Sequence, residues 1–560
     1  MSQEILTPVT LVILDGWGLA PASKGNAVTC AKTPTMRALW RQFPHTKLWA
    51  HGGYVGLPDA QEGNSEAGHI NLGAGRVVTQ DSVYINAAIA DGTFYKNTAF
   101  HEAIKHLRKY DTALHLMGLL SSEKSAHATP EHLYALLELA AREKIKKIFL
   151  HLFTDGRDSS QHNALDLLEK MEARFKNGEQ IATISGRAYA MDRKKKWSNI
   201  KLAYQAMVDG EGEQVASAKE AILRAYDRGD TDEFILPSVV VKDGQPLGKI
   251  NDNDIIFFFN LRSDRAREMT KTFVQKNFEQ ENLGAFTRAR VPQNIRFVAM
   301  TDFGPDLPHV LTAFPSRDIE KSLVLTLKDA RQIYIAETEK YAHMTYFFNG
   351  GYADAIAGEK RLRIASPETE HYDRVPEMSA REIATAASER ILSREFDLVA
   401  MNFANPDMVG HTGNLEAAIK AVTFVDKCLA QVWQAVQKQG GVLLVTADHG
   451  NCEEMLDLKT GAVLTNHTKN QVPFILADAR DKRDPSLALR MAEGKAGMTG
   501  IMAGMTEGKA GMANGTADGG KISLRTKGVL GDVAPTILEL MGQDIPAAMA
   551  GQTLFKKQKI

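Results

Sequence analysis

The chain has 560 residues, too many for a single hydrophobic core, so at least two domains are expected. Apolar residues at 44% and charged residues at 24% are globular values. A net charge of −1 excludes a nucleic-acid or acidic-membrane surface as the main partner. Cys30, Cys428 and Cys452 are odd in number and far apart, which reads as reduced thiols in a cytoplasmic protein; the short N-terminal apolar run that ends on Asp15 does not read as a signal peptide, and no apolar run of membrane-spanning length is expected.

In chain order, residues 9–14 form an apolar run that predicts a buried strand, ending on Asp15 and Gly16. A helix is expected over Thr33–Trp40 and a strand over Thr46–Ala50. A glycine-bounded loop is expected at Gly63–His69, with Ser65 inside it. From about residue 80 a second series alternates strand and helix. Strands are predicted over Ala113–Leu120, Lys147–Phe153, Ile181–Ser185, Asp254–Asn260 and Ile295–Met300. Helices are predicted over Glu131–Arg142, Ala164–Phe175, Asn199–Met207 and Asp264–Phe273. This spacing implies a mostly parallel sheet. Gly304–Ser316, with Pro305, Pro308 and Pro315, reads as a linker. Buried strands then return at Gln332–Ala336, Asp397–Asn402, Val442–Thr446 and Val472–Ala477, followed by a last helix over Asp532–Met541. The strands that end in Asp15 and Asp448 are alike but flank the middle series. The expected architecture is therefore α/β with two domains: 1–79 plus 315–560, and 80–314 inserted into it. Residues 491–521 repeat with a period of 14 and are rich in Gly, Ala and Met. They read as a flexible surface insertion, bounded at about 483–525, to which no function attaches.

Three strand ends deliver metal-ligating side chains: Asp15; Asp407 and His411; Asp448 and His449. With His467 they make three carboxylates and three imidazoles, and Ser65 is a further candidate ligand. Such a set suits two divalent ions, and mixed oxygen and nitrogen donors without thiolate point to Mn²⁺ or Zn²⁺. Pro406 and Gly410 make a regular helix between Asp407 and His411 doubtful. A serine hydroxyl needs a base or a cation to become a nucleophile, and no G-x-S-x-G elbow follows a strand. Ser65 activated by a metal fits better. In the middle series Arg157 with Asp158, Arg187 with Arg193, and Arg262 with Arg265 follow successive strands. Five guanidinium groups at the same strand ends would make one anion pocket, which His127 could join. Lys340, after another buried strand, is placed to neutralise a phosphoryl group. These residues by themselves read as two-metal, serine-dependent phosphoryl transfer.

Nine segments, in this order, resemble the cofactor-independent phosphoglycerate mutases of the alkaline phosphatase superfamily: LVILDGWGL, GNSEAGHINLGAGR, DGRD, SGRAYAMDR, RSDRA, IAETEKYAH, NPDMVGHTG, TADHGN and NHT before VPF. The resemblance spans nearly the whole chain. It implies an alkaline-phosphatase-like metal-binding domain with an inserted substrate-binding domain. It further implies an isomerase of glycolysis and gluconeogenesis that interconverts 3-phosphoglycerate and 2-phosphoglycerate through a phosphoserine on Ser65, with two Mn²⁺ ions (other divalent metals are possible) and no need for 2,3-bisphosphoglycerate. By that resemblance Asp407, His411 and His467 hold one ion, and Asp15, Ser65, Asp448 and His449 the other. Asp158 shuttles protons; His127, Arg157, Arg187 and Arg193 hold glycerate; Arg262 and Arg265 grip phosphate; Lys340 steadies the group in transfer. The partners implied are small phosphoglycerates, and the enzyme would be a cytoplasmic monomer. One departure lies at Ser122–His127, where the chain has one residue more than the family between Leu120 and the histidine. His127 and His132 keep the family's separation, so His127 is retained.

Overall fold

A computed structural model describes residues 8–122, 125–304, 306–315, 319–369, 371–481 and 523–556. The glycine-rich insertion at 491–521, with Glu123 and Lys124, therefore lies outside the described residues. The chain divides into two compact units, 1–80 with 318–560, and 81–317. Among the described residues no helix is long and apolar enough to cross a membrane.

The first unit is built on an eight-stranded sheet. The Val9–Leu14 strand is buried along its whole length, as its unbroken apolar run requires. It lies between Leu398–Phe403 and Val442–Thr446, parallel to both. Register decides where the site forms. Leu14 pairs with Phe403 and Ile13 with Thr446, so Asp15, the segment after Phe403 and Asp448–His449 emerge at one carboxyl edge. Gln332–Glu337 pairs in parallel with Leu398–Phe403 and brings Lys340 to the same edge. Val472–Asp478 and His45–Trp49 extend the other side in antiparallel fashion. The 25-residue helix Leu415–Gln439, absent from the predicted elements, covers the sheet with a buried stripe from Ala417 to Val436.

The second unit has a nine-stranded sheet with its central strands parallel. Leu120 pairs with Thr154, Thr154 with Gly186, and Met117 with Phe258. The loops after these strands, which carry His127, Asp158, Arg187 and Arg262, therefore leave from one edge. The predicted linker over Gly304–Ser316 is corrected here: Val310–Phe314 is a strand, parallel to Arg296–Thr301 at the sheet's end, with Ala313 and Phe314 buried. Pro308 and Pro315 flank that strand, where a missing N–H costs no ladder bond.

Candidate active site

Ser65 does not sit in a loop. It is the first residue of a helix, Ser65–Ala74, whose N-cap Asn64 accepts from the Ala67 amide at 2.8 Å. The predicted turn is thus a capped helix start, and its partial positive charge faces the serine oxygen. Gly68 permits the fit: a Cβ there would lie 2.6 Å from the Asp448 backbone oxygen. The doubt over a helix at Asp407 is also resolved. Asn405–Gly410 is helical with Pro406 in its first turn, where proline's missing donor is harmless.

Every metal-ligand candidate of the first unit converges on one place. Ser65 Oγ lies 2.9 Å from His449 Nε2 and 3.3 Å from Asp15 Oδ1. Lys340 Nζ donates to Ser65 Oγ at 2.7 Å, Asp15 Oδ1 at 2.7 Å and Asp407 Oδ2 at 2.6 Å. His411 Nε2 and His467 Nε2 each stand 3.3 Å from Asp407 Oδ1 and 3.0 Å from one another. Ligand atoms of Asp15, Asp448 and His449 fall within 4.8 Å of one another, as do those of Asp407, His411 and His467.

Both sets fit a divalent cation, on two observations. His411 Nδ1 lies 2.7 Å from the Thr465 carbonyl, which can only accept; the ring's proton is therefore there and the Nε2 lone pair faces Asp407 and His467. Asp448 Oδ2 is fully buried and accepts no hydrogen bond. Its neighbour His69 Nδ1, at 3.2 Å, aims at the Ser65 carbonyl 2.8 Å away. Lone pairs and carboxylate oxygens pointing at a shared centre repel unless a cation lies between them.

With no ion between them, the buried carboxylates draw protons onto their neighbours. Burial alone would lower the Lys340 ammonium's pKa, but the Asp15, Asp407 and Asp448 carboxylates outweigh it and hold the pKa raised. Burial likewise opposes charge on His449, yet Asp448 and Asp407 raise it to about 10. Burial lowers His467, and His449 lowers it further.

Residues that sequence reasoning missed complete the shell. Asn402 Nδ2 donates to Asp15 Oδ2 at 2.7 Å and reaches His69 Nε2 at 3.0 Å, linking a ligand carboxylate to the Ser65 backbone. Asn451 Nδ2 donates to Asp407 Oδ1 at 2.9 Å. Both lie in segments already singled out, but nothing in their spacing marks their partners.

In the second unit Arg187 is almost wholly buried, with Nη1 2.5 Å from Asp155 Oδ1 and 3.1 Å from Asp158 Oδ2. Asp155, missed in the sequence, is the anchor; it also takes the Ser121 hydroxyl. Ser125 Oγ donates to Asp158 Oδ2 at 2.8 Å and accepts from the His127 amide at 3.1 Å. Burial raises the Asp158 carboxyl, but Arg187, Ser125 and His127 bring it below its ordinary value. His127 is lowered to about 3 by burial and then by Arg262 and Arg187. Its Nδ1 is buried without a partner. Arg193 and Arg262 approach Asp264 at 2.8 and 3.5 Å, and Arg265 Nη1 donates to the Met191 carbonyl at 3.1 Å. Burial, then Arg187 and Arg193, lowers Arg265 to about 10, the mark of cations crowded together. Arg157 stands further out, more than half exposed and 3.5 Å from Glu233.

A serine at a helix start, between two carboxylate–imidazole sets at the carboxyl edge of a mixed sheet, defines a phosphoryl-transfer domain of the alkaline phosphatase type, here interrupted by a second α/β domain. Residues 85–305 match the family described as BPG-independent PGAM N-terminus, and 316–494 that described as type I phosphodiesterase / nucleotide pyrophosphatase. The 2,3-bisphosphoglycerate-independent phosphoglycerate mutase of Clostridium novyi is 43% identical over 98% of this chain and 99% of its own. That of Thermomicrobium roseum is 45% identical over 98% of each. A crystal structure of Leishmania mexicana phosphoglycerate mutase, at low cobalt concentration, superposes with a TM-score of 0.75 and 31% identity, covering 100% of this chain and 99% of that one. The chain belongs to the 2,3-bisphosphoglycerate-independent phosphoglycerate mutase family.

Proposed function

We propose that this chain interconverts 3-phosphoglycerate and 2-phosphoglycerate by passing the phosphoryl group through Ser65. The observation that carries the reading is the environment of Ser65 Oγ: a lysine ammonium at 2.7 Å, an imidazole nitrogen at 2.9 Å and a helix start beneath it. A hydroxyl so placed is prepared to become an anion and then to carry one.

Asp407, His411 and His467 would hold one Mn²⁺, and Asp15, Ser65, Asp448 and His449 a second; other divalent ions suit the same donors. When bound, the ions lower the pKa of the serine hydroxyl and offset phosphoryl charge. The chain's own residues do the rest. Ser65 Oγ forms a bond to phosphorus as the bond from phosphorus to the C3 oxygen breaks. In the second half the Oγ–phosphorus bond breaks as the C2 oxygen takes the group. Lys340 Nζ, held at Ser65 Oγ, offsets the charge that develops on the phosphoryl oxygens. The Ser65 hydroxyl proton would leave for solvent as the ions bind; Asp158 gives the departing C3 oxygen its proton and then, as the carboxylate that Arg187 stabilises, takes the proton of the C2 hydroxyl. Arg157, Arg187 and Arg193 bind the glycerate portion, with neutral His127 as a hydrogen-bonding partner, and Arg262 and Arg265 bind phosphate. We further infer a cytoplasmic, monomeric enzyme of glycolysis and gluconeogenesis; its three thiols, all free, suit a reducing compartment.

The test is an enolase-coupled assay with Mn²⁺ and no added bisphosphoglycerate. Wild type turns over and Ser65→Ala does not. Full activity of chelator-stripped protein, or of Ser65→Ala, would refute the proposal.

A further inference from the structure

Glu453 is a buried carboxylate that takes no part in the chemistry above. Its four partners are neutral donors. Oε2 accepts from the Gly18 amide at 3.0 Å and the Asn451 amide at 2.9 Å. Oε1 accepts from Asn470 Nδ2 at 2.9 Å and from the Thr468 hydroxyl. These donors come from three separate loops. Gly18 follows Asp15. Asn451 follows Asp448 and His449, and its side chain holds Asp407 at 2.9 Å. Thr468 and Asn470 follow His467.

The glycines around the carboxylate record the same arrangement independently. A Cβ on Gly18 would lie 2.2 Å from the Glu453 carboxyl carbon, and one on Gly450 2.3 Å from Oε1. Neither glycine has a positive φ, so backbone conformation does not require them. The space that a side chain would fill is the space Glu453 occupies.

We propose that Glu453 is a positioning residue that assembles both cation positions at once. One carboxylate fixes the loops of Asp15, of Asp448–His449 with Asn451 and Asp407, and of His467. A carboxyl group is needed because the Gly18 and Asn451 amides meet one oxygen and Asn470 Nδ2 the other, all as donors; the NH₂ of a side-chain amide would turn its hydrogens against at least one of them. This rests on the two-cation reading above.

The experiment titrates Mn²⁺ into chelator-treated full-length protein by calorimetry, with free Mn²⁺ followed by electron paramagnetic resonance. Wild type is expected to bind two ions. Glu453→Gln, which keeps the shape, is expected to weaken both by roughly 10- to 100-fold. At saturating Mn²⁺ its KM for phosphoglycerate stays at the wild-type value, a split that general loosening of the fold would not give. Gly18→Ala, which displaces the carboxylate without altering it, is expected to act in the same direction. If Glu453→Gln shows no cooperative melt, Thr468→Val carries the test: it removes one donor and is expected to weaken both ions less. Wild-type affinity in a folded Glu453→Gln or Thr468→Val, or weakening of one ion alone, overturns the proposal. Failure of wild type to bind two ions overturns instead the cation reading beneath it.

Discussion

Lys340→Ala is the perturbation that bears most directly on the chemistry. The ammonium makes three contacts of 2.6 to 2.7 Å, to Asp15, Ser65 and Asp407, and its side chain is 4% exposed. Removing it has two separable consequences. In the metal-free protein two buried carboxylates lose their cationic partner, which costs about 3–5 kcal/mol of stability. A donor aimed at developing charge is also lost, worth about 3–4 kcal/mol in the transition state, or 10²- to 10³-fold in kcat. The two effects are told apart by melting the chelator-treated protein and measuring turnover at saturating Mn²⁺. The expected result is kcat down by that factor with KM changed far less. Lys340→Arg is not expected to restore it, since a planar fork cannot place one donor on three converging oxygens. A folded Lys340→Ala enzyme with wild-type kcat would refute the reasoning.

Other perturbations follow from the same geometry. Arg187→Lys keeps the charge but has a shorter side chain and loses the planar guanidinium that would grip the glycerate carboxylate, and steady-state kinetics should show KM raised by roughly 10- to 100-fold. Gly68→Ala drives a methyl into the Asp448 backbone; denaturant melts should show a loss of about 1–3 kcal/mol, with weaker Mn²⁺ binding. Asp426 caps the Pro34–Gln42 helix from a distant part of the chain, accepting from the Thr35 and Met36 amides at 2.9 and 2.8 Å. Burial raises its carboxyl to about 6 against the opposing pull of those amides. A raised acid pKa contributes stability that is full below the unfolded value near 4 and is lost as pH rises through the folded one. Stability should therefore fall by about 2–3 kcal/mol between pH 4 and 7 from this group. Urea melts of Asp426→Asn should lack that part of the slope.

The strand ends were legible in the sequence for a physical reason. A strand buried on both faces must be apolar throughout, so its first polar residue marks the edge where ligands sit. Val9–Leu14 into Asp15 and Val442–Thr446 towards Asp448 both read that way. The α/β class followed from the same runs and their spacing. Local signals misled where a residue serves two structures equally well. Glycines around Ser65 suit a turn, yet they also let a helix pack against the Asp448 backbone. Prolines near 310 suit a linker, yet they also bound an edge strand.

Which donors face one another was decided only by tertiary structure. Lys340 meets Asp15 across 325 residues, and Asn402 joins Asp15 to His69 from a strand whose neighbour is set by register. Asp155 beneath Arg187 and Glu453 beneath three loops carry no sequence mark, because a hydrogen bond constrains two positions in space and neither in the chain. Periodicity reports which face of an element is buried; it does not report what lies opposite. The types of chemistry available were thus written along the chain, and their convergence on the Ser65 hydroxyl came from sheet register and from the packing of loops around buried carboxylates.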